Sequence, residues 1–282
     1  MKEGKTLEFK AKISNTFLKT VSAFSNFGDG TILFGVDDEG NVVGIEDIKK
    51  ACLDIKNQIN DNIRPKPDFA INIVKGNVIE LKVFEGKSKP YFYRAKAYRR
   101  SDTASIEIDG LELRHLVLEG SNLFYDQLAS KERELSFTCL EEKLKKTINI
   151  TALDNDILRS LGFYTKDMQY NNAAALFADK NQFWGVDVVR FGDTINEILD
   201  RETIYNNSLL EQYDRALELY RKYYQSEVIE ASVREKHELV PEAAFREALA
   251  NALVHRDFGV NAHVRIAMFK DKIEISSPGG LP

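Results

Sequence analysis

Apolar positions recur along the chain with two different periods, and the switches between them mark out the elements. Residues 5–9 alternate as a strand does. Phe17, Val21 and Phe24 fall at i, i+4 and i+7, which predicts an amphipathic helix over 15–27, ended by Gly28-Asp29-Gly30. Residues 31–36 form an apolar run that reads as a buried strand. Residues 37–41 then read as a turn, with a return strand over 42–45. Ile48, Ala51, Cys52, Ile55 and Ile59 space out a second helix. Residues 68–74 and 78–84 predict a hairpin across Gly76-Asn77, a dipeptide suited to the positive φ angles of a tight turn. A further strand is expected over 91–100 and a helix over 109–119, giving an α+β domain that ends near residue 125.

Beyond that point, residues 131–146 read as a charged helix, and 171–177 and 186–191 as strands or buried segments. Residues 209–224 predict a long amphipathic helix. Pro241 opens another, since a missing N–H costs nothing in a first turn. Residues 263–269 and 272–276 pair as a hairpin across Lys270-Asp271. The chain closes on the loop Ser277-Pro278-Gly279-Gly280-Leu281-Pro282, and the last sheet is expected to be incomplete at that point. The domains expected are 1–125, a mixed connecting region over 126–225, and a partial domain over 226–282.

Composition adds limits. The 282 residues are 43% hydrophobic, enough for real cores, and no apolar run approaches the ~20 residues that cross a bilayer. No apolar leader follows Met1-Lys2-Glu3-Gly4-Lys5, so a cytoplasmic protein is expected. Cys52 and Cys139 are read as lone thiols, in keeping with a reducing compartment. Zinc is not expected, because no Cys or His pair stands at ligand spacing. The net charge is −5, with 39 Lys+Arg against 44 Asp+Glu. Residues 1–130 carry 19 of each sign, so the remaining 20 against 25 puts the whole deficit in the second half. Any nucleic-acid surface must be a local patch, and the first half is the place for it.

Three constellations carry candidate chemistry. Between Lys87 and Arg100 stand Lys87, Lys89, Arg94, Lys96, Arg99 and Arg100 without one acidic residue, interleaved with Tyr91, Phe92, Tyr93 and Tyr98. In one strand, Arg94, Lys96, Tyr98 and Arg100 would share a face, joining phosphate-neutralising cations to a ring that stacks on bases. A solvated sheet edge with aggregation-blocking charges reads the same way. Glu3, Glu8 and Asp37 flank the first two strands. Brought together they could hold Mg²⁺ or Mn²⁺ and activate water against a phosphodiester; apart, Glu8 pairs with a lysine and Asp37 serves its turn. On the helix after Pro241, Glu247, Asn251 and His255 recur every four residues along one side, followed by Asp257. A carboxylate one turn before a carboxamide suits a magnesium–phosphate unit held by Glu247 and Asn251, and an exposed polar stripe has the same spacing.

The run from Glu3 to Lys10, with Ala23-Phe-Ser-Asn26, Gly28-Asp-Gly30, Phe34-Gly35-Val-Asp37-Asp38, Gly40, Gly44 and the later Tyr98-Arg99-Arg100, resembles the Schlafen/AlbA-type domain. Asn171 to Phe177 and Val189-Arg-Phe191 resemble the middle section of bacterial proteins built on that domain. Phe245-Arg-Glu247 through Asn251, His255 and Asp257, together with the loop ending Pro278-Gly279-Gly280, resembles the GHKL-type ATPase at their C-terminus, with Pro-Gly-Gly in place of the usual Asp-x-Gly-x-Gly box. The resemblance implies an α+β fold: a Schlafen/AlbA-like domain, a mixed α/β middle and the start of a GHKL-like domain. It implies a transcriptional regulator, and the basic segment's own chemistry assigns DNA or RNA binding to Lys87, Lys89, Arg94, Lys96, Tyr98, Arg99 and Arg100. An ATP module would use Glu247, Asn251, His255, Asp257, Gly279 and Gly280, and a homo-oligomer is a further expectation. Animal Schlafen relatives include RNA-cleaving enzymes with three acidic residues; those positions fall on Glu3, Glu8 and Asp37, so a metal-dependent nuclease is an alternative. An ATP-gated interaction module is another.

Overall fold

The computed structural model describes residues 2–230 and 233–280, so Leu281 and Pro282 of the predicted closing loop lie outside the described residues. The chain divides into two compact units, 1–124 and 125–282.

In the first unit the elements run β1 (Leu7–Lys10), α1 (Phe17–Phe27), β2 (Gly30–Phe34), α2 (Ile48–Asn62), β3 (Ile63–Arg64), β4 (Phe69–Val74), β5 (Val78–Val83), β6 (Phe92–Tyr93), β7 (Tyr98–Ser101), β8 (Ala104–Glu107) and α3 (Gly110–Gly120). Four strands form a sheet in the order β1-β2-β5-β4, with β1 and β2 parallel and the other pairs antiparallel. The apolar face of α1 (Phe17, Val21, Phe24) and that of α2 (Ile55, Ile59) close over Ile32, Phe34 and Leu81, all essentially buried. Phe9, Val36 and Val78 make a smaller separate cluster. The expected hairpin over 68–84 is present, and Gly76 and Asn77 take the positive φ its turn demands (82° and 56°). α3 begins with a capping box in which Asp109 and Glu112 satisfy each other's backbone N–H groups.

Two expectations for this unit are corrected. Residues 42–45 are no return strand. Gly35 at φ 90° turns the chain out of the sheet, its carbonyl takes the N–H groups of both Val43 and Gly44, and only a single bridge, Val36 to Val42, remains. Nor do residues 91–100 form one strand. Arg94 and Ala95 both sit at positive φ (51° and 59°), and Tyr93 and Lys96 exchange backbone hydrogen bonds across them, so the chain reverses between β6 and β7. β6 pairs with β3, β7 pairs with β8, and the predicted common face does not exist.

The second unit opens with a 3₁₀ turn (Tyr125–Gln127) and continues through α4 (Thr138–Ile148), α5 (Asn155–Ser160), α6 (Asn172–Phe177), β9 (Val186–Phe191), β10 (Ile198–Ile204), α7 (Leu209–Tyr224), β11 (Gln225–Glu230), β12 (Val233–Glu238), α8 (Glu242–Val254), β13 (Val264–Met268) and β14 (Ile273–Ser276). Its main sheet has the order β10-β9-β13-β14, with β9 and β13 parallel and the outer pairs antiparallel. Residues of the expected connecting region, 126–225, and of the expected partial domain, 226–282, therefore share one sheet. Tyr220 of α7 and Phe245 and Leu249 of α8 pack on Val186, Val264, Ile266 and Met268. Residues 171–177, expected as a strand or buried segment, are helical: the Asn171 side chain caps α6 by accepting from the Ala174 N–H. Both cysteines are free, and no helix among the described residues is long and apolar enough to cross a membrane.

Candidate nucleic-acid interface

The basic segment is moored by α1. Asn26, fully buried, accepts from the Tyr91 N–H at 2.7 Å and donates to the Tyr91 carbonyl at 2.9 Å, while Ser22 donates to the same carbonyl at 2.7 Å. Tyr91, Tyr93 and Tyr98 are all buried, and burial pushes the Tyr98 phenol pKa up. The rings expected to stack on bases therefore belong to the core, and only Phe92 is half-exposed.

The cations divide by surroundings. Lys89 is buried with its ammonium 2.5 Å from both Glu85 and Glu119. Burial presses its pKa downward, and the two carboxylates outweigh it, so the net shift is upward. Arg100 is buried and bonds Glu8 at 2.6 Å. Arg99 pairs with Glu112 at 2.8 Å and Lys96 with Glu107 at 2.6 Å, both within reach of solvent. Lys87 and Arg94 are exposed and form no ion pair among the described residues; the Arg94 guanidinium lies over the Tyr93 ring at 5.2 Å. Every carboxylate that meets these cations comes from the first unit. Lys89, Arg100 and Tyr98 are thus removed from the expected contact surface by burial. Lys87, Arg94, Lys96 and Arg99 remain on it. Sequence reasoning missed the exposed Arg64, which the β3–β6 register sets opposite Phe92. Its signal was faint: one arginine two residues beyond an amphipathic helix.

The structure does not gather Glu3, Glu8 and Asp37. In the β1–β2 register Glu8 lies beside Ile32, five residues before Asp37. Glu8, 4% exposed, accepts from Thr20 at 2.5 Å and meets Arg100 at 2.6 Å and Lys10 at 2.7 Å. Glu3 accepts from the Phe9 N–H at 2.6 Å. Asp37 accepts from the Asn41 N–H at 2.7 Å and from its amide at 3.1 Å, and these bonds hold its pKa below the usual carboxylate value. Among the described residues no three of His, Cys, Asp and Glu are grouped to hold a metal ion. Each of these three carboxylates has at least one oxygen engaged within the chain.

On α8, Asn251 donates to Glu247 at 3.1 Å, and both side chains are exposed, as is His255. The following loop folds back on the helix. Ser277 donates to the Ala252 carbonyl at 2.8 Å, and the Asp257 N–H donates to the Pro278 carbonyl at 2.8 Å. Gly279, at φ 114°, lies so close that an added Cβ would sit 2.8 Å from that of Asp257. Gly280 is exposed.

The first unit is a mixed α/β domain whose four-stranded sheet is covered by two helices and flanked by two short β ribbons. Residues 3–109 match the family described as Schlafen, AlbA_2, and this stretch carries that domain. No curated protein matches the chain. Among solved structures, the DIP2311 protein of Corynebacterium diphtheriae is similar over 99% of this chain and 62% of its own length, at 20% identity and a TM-score of 0.47. The N-terminal domain of a Nitrosomonas europaea protein, described as related to the ATP-dependent DNA helicase RecG, is similar over 39% of this chain and 83% of that domain, at 22% identity and a TM-score of 0.29. The chain spans 62% of the length of the DIP2311 protein.

Proposed function

We propose that the Schlafen/AlbA_2 domain binds a nucleic-acid backbone through the turn between β6 and β7, as part of a nucleic-acid-binding regulator. The observation that carries this reading is Arg94: the turn holds it at positive φ, exposed and without an ion pair among the described residues, in a segment that also exposes Lys87 and Lys96. With the tyrosines buried, binding is electrostatic and tolerant of sequence. A single strand neutralised by Lys87 and Arg94, the two cations of the segment without an ion pair among the described residues, loses affinity with a log–log salt slope of roughly −1.4, at about −0.7 per phosphate contact. Titrating the protein with a fluorescent single-stranded DNA and with tRNA at several salt concentrations tests it. Arg94→Ala should reduce the slope by about 0.7. Binding that ignores salt, or that survives Lys87→Ala with Arg94→Ala unchanged, rejects it.

A second reading concerns α8, where the loop at Pro278-Gly279 is tied to the helix end bearing Asn251, His255 and Asp257. We infer that Glu247 and Asn251 could receive a magnesium–nucleotide unit once their mutual hydrogen bond opens. Calorimetry with a non-hydrolysable ATP analogue and Mg²⁺ tests it: heat that vanishes in Asn251→Ala supports the reading, and none in the unaltered protein rejects it.

A further inference from the structure

The main sheet of the second unit ends in an aromatic cavity. β9 and β13 start side by side, with the Val264 N–H donating to the Gly185 carbonyl at 2.9 Å, and β10 finishes beside them with Ile204 opposite Val186. The residues just outside these three strand ends are Trp184, His263 and Tyr205. With Gln182, Phe183 and Asn206 they line a cavity of about 440 Å³. His263 meets Trp184 edge-on at 4.8 Å and Tyr205 at 6.3 Å between ring centroids. Trp184 is 45% exposed and Tyr205 55% exposed, so neither ring is consumed by the core.

The walls are built rather than incidental. Arg256, 5% exposed, donates to the backbone carbonyls of Trp184 and, at 2.5 Å, Ala262, and so clamps two rims of the cavity with one guanidinium. Asn181, also 5% exposed, accepts from the Phe183 N–H at 3.1 Å and donates to the Asn207 carbonyl at 2.8 Å, joining the other two. Gly185 permits the closest approach, since a Cβ there would lie 1.9 Å from the Ile204 oxygen. These buried polar groups fix the backbone that carries the exposed rings, so the cavity is pre-organised.

The lining also selects the guest. Among the described residues no carboxylate lines the cavity, and the nearby Asp187 is already taken by Arg201 at 3.0 and 2.9 Å and by Thr203 at 3.0 Å. An organic cation would therefore lack a counter-charge. The amides of Gln182 and Asn206 offer donors and acceptors together, which matches the edge of a heteroaromatic ring. We infer that this cavity receives one nucleobase, stacked against Trp184 and Tyr205. The site lies in the second unit and needs no phosphate, so it stands or falls separately from the cationic turn.

Trp184 is the chain's single tryptophan and reports on its own cavity. The full chain is titrated with the four ribonucleosides, with a short single-stranded oligonucleotide and with tetramethylammonium, while tryptophan emission is followed under red-edge excitation. Saturable quenching by at least one nucleoside, weakened roughly tenfold or more by Tyr205→Ala and restored by Tyr205→Phe, upholds the inference. Saturation by the oligonucleotide alone, with the same Tyr205 dependence, upholds it with the base presented by a strand. No saturation by either, saturation by tetramethylammonium alone, or indifference to Tyr205→Ala overturns it.

Discussion

Glu8 illustrates how a residue type suited to catalysis can be claimed by the fold. Its carboxylate joins β1 to α1 through Thr20 and to β7 through Arg100, which in turn donates to Ser105 at 3.2 Å and to the Gly4 carbonyl at 3.1 Å. Removing it strands a buried guanidinium. Glu8→Ala should therefore destabilise the first unit by about 3–5 kcal/mol, the usual consequence of breaking a buried ion pair from one side. Asp37→Ala, at an exposed turn, should change stability far less. Urea denaturation of both variants checks this, and equal stability losses would show that the Glu8–Arg100 pair is not the node described. The result also bears on any nuclease assay, since activity lost in Glu8→Ala would first have to be separated from lost structure.

The turn between β6 and β7 is where element-level reasoning fell short. A two-residue reversal with both φ angles positive is ordinarily written Asn-Gly, because left-handed backbone brings a Cβ against the following carbonyl oxygen, which glycine avoids and asparagine tolerates. Here it is written Arg94-Ala95, which carries no turn signal. Ala95→Gly should relieve that strain by more than it adds in unfolded-state entropy, raising stability by about 0.5–1 kcal/mol while leaving nucleic-acid affinity unchanged. A thermal melt beside a binding titration checks both halves; a lowered melting temperature would contradict the turn geometry. Other elements were plain in the sequence because their signals are local. Gly76-Asn77 announced its hairpin, and Phe17, Val21 and Phe24 announced α1. Residues 171–177 were not plain, since a short apolar run has no period to read and the Asn171 cap decides it. The candidate interface was half visible. The cations are contiguous, but the carboxylates that neutralise four of them stand at 8, 85, 107, 112 and 119, and only the fold brings those into contact. The aromatic cavity left no trace in sequence, because Trp184, Tyr205 and His263 meet only at the ends of three paired strands.

Across the whole molecule, two units with separate cores should respond differently to acid. In the second unit Asp187, Asp179 and Glu202 are partly buried and have lowered pKa values. For Asp187, burial is the largest influence and acts upward, but hydrogen bonds from Arg201 and Thr203 outweigh it. For Asp179, burial is again opposed and overcome, here by the Cys139 and Thr138 N–H groups that it accepts at 2.9 and 2.8 Å to cap α4. Glu202 is lowered chiefly by Arg215 at 2.6 Å. A carboxylate whose folded pKa lies below its unfolded value stabilises the native state above the unfolded value and loses that contribution as pH falls through the folded one. With ordinary values of 3.8 for Asp and 4.5 for Glu, the loss begins below about pH 4.5 and deepens toward pH 3. In the first unit the lowered carboxylates, Asp37 and Asp109, are exposed and screened by solvent. Fragment 1–124, with its own sheet and core, should fold alone and melt cooperatively. Its melting temperature should fall less between pH 6 and about pH 3 than that of fragment 125–282. Scanning calorimetry of both fragments at several pH values decides it: parallel declines would mean that the Asp187 and Asp179 networks contribute nothing beyond what solvent-exposed carboxylates do.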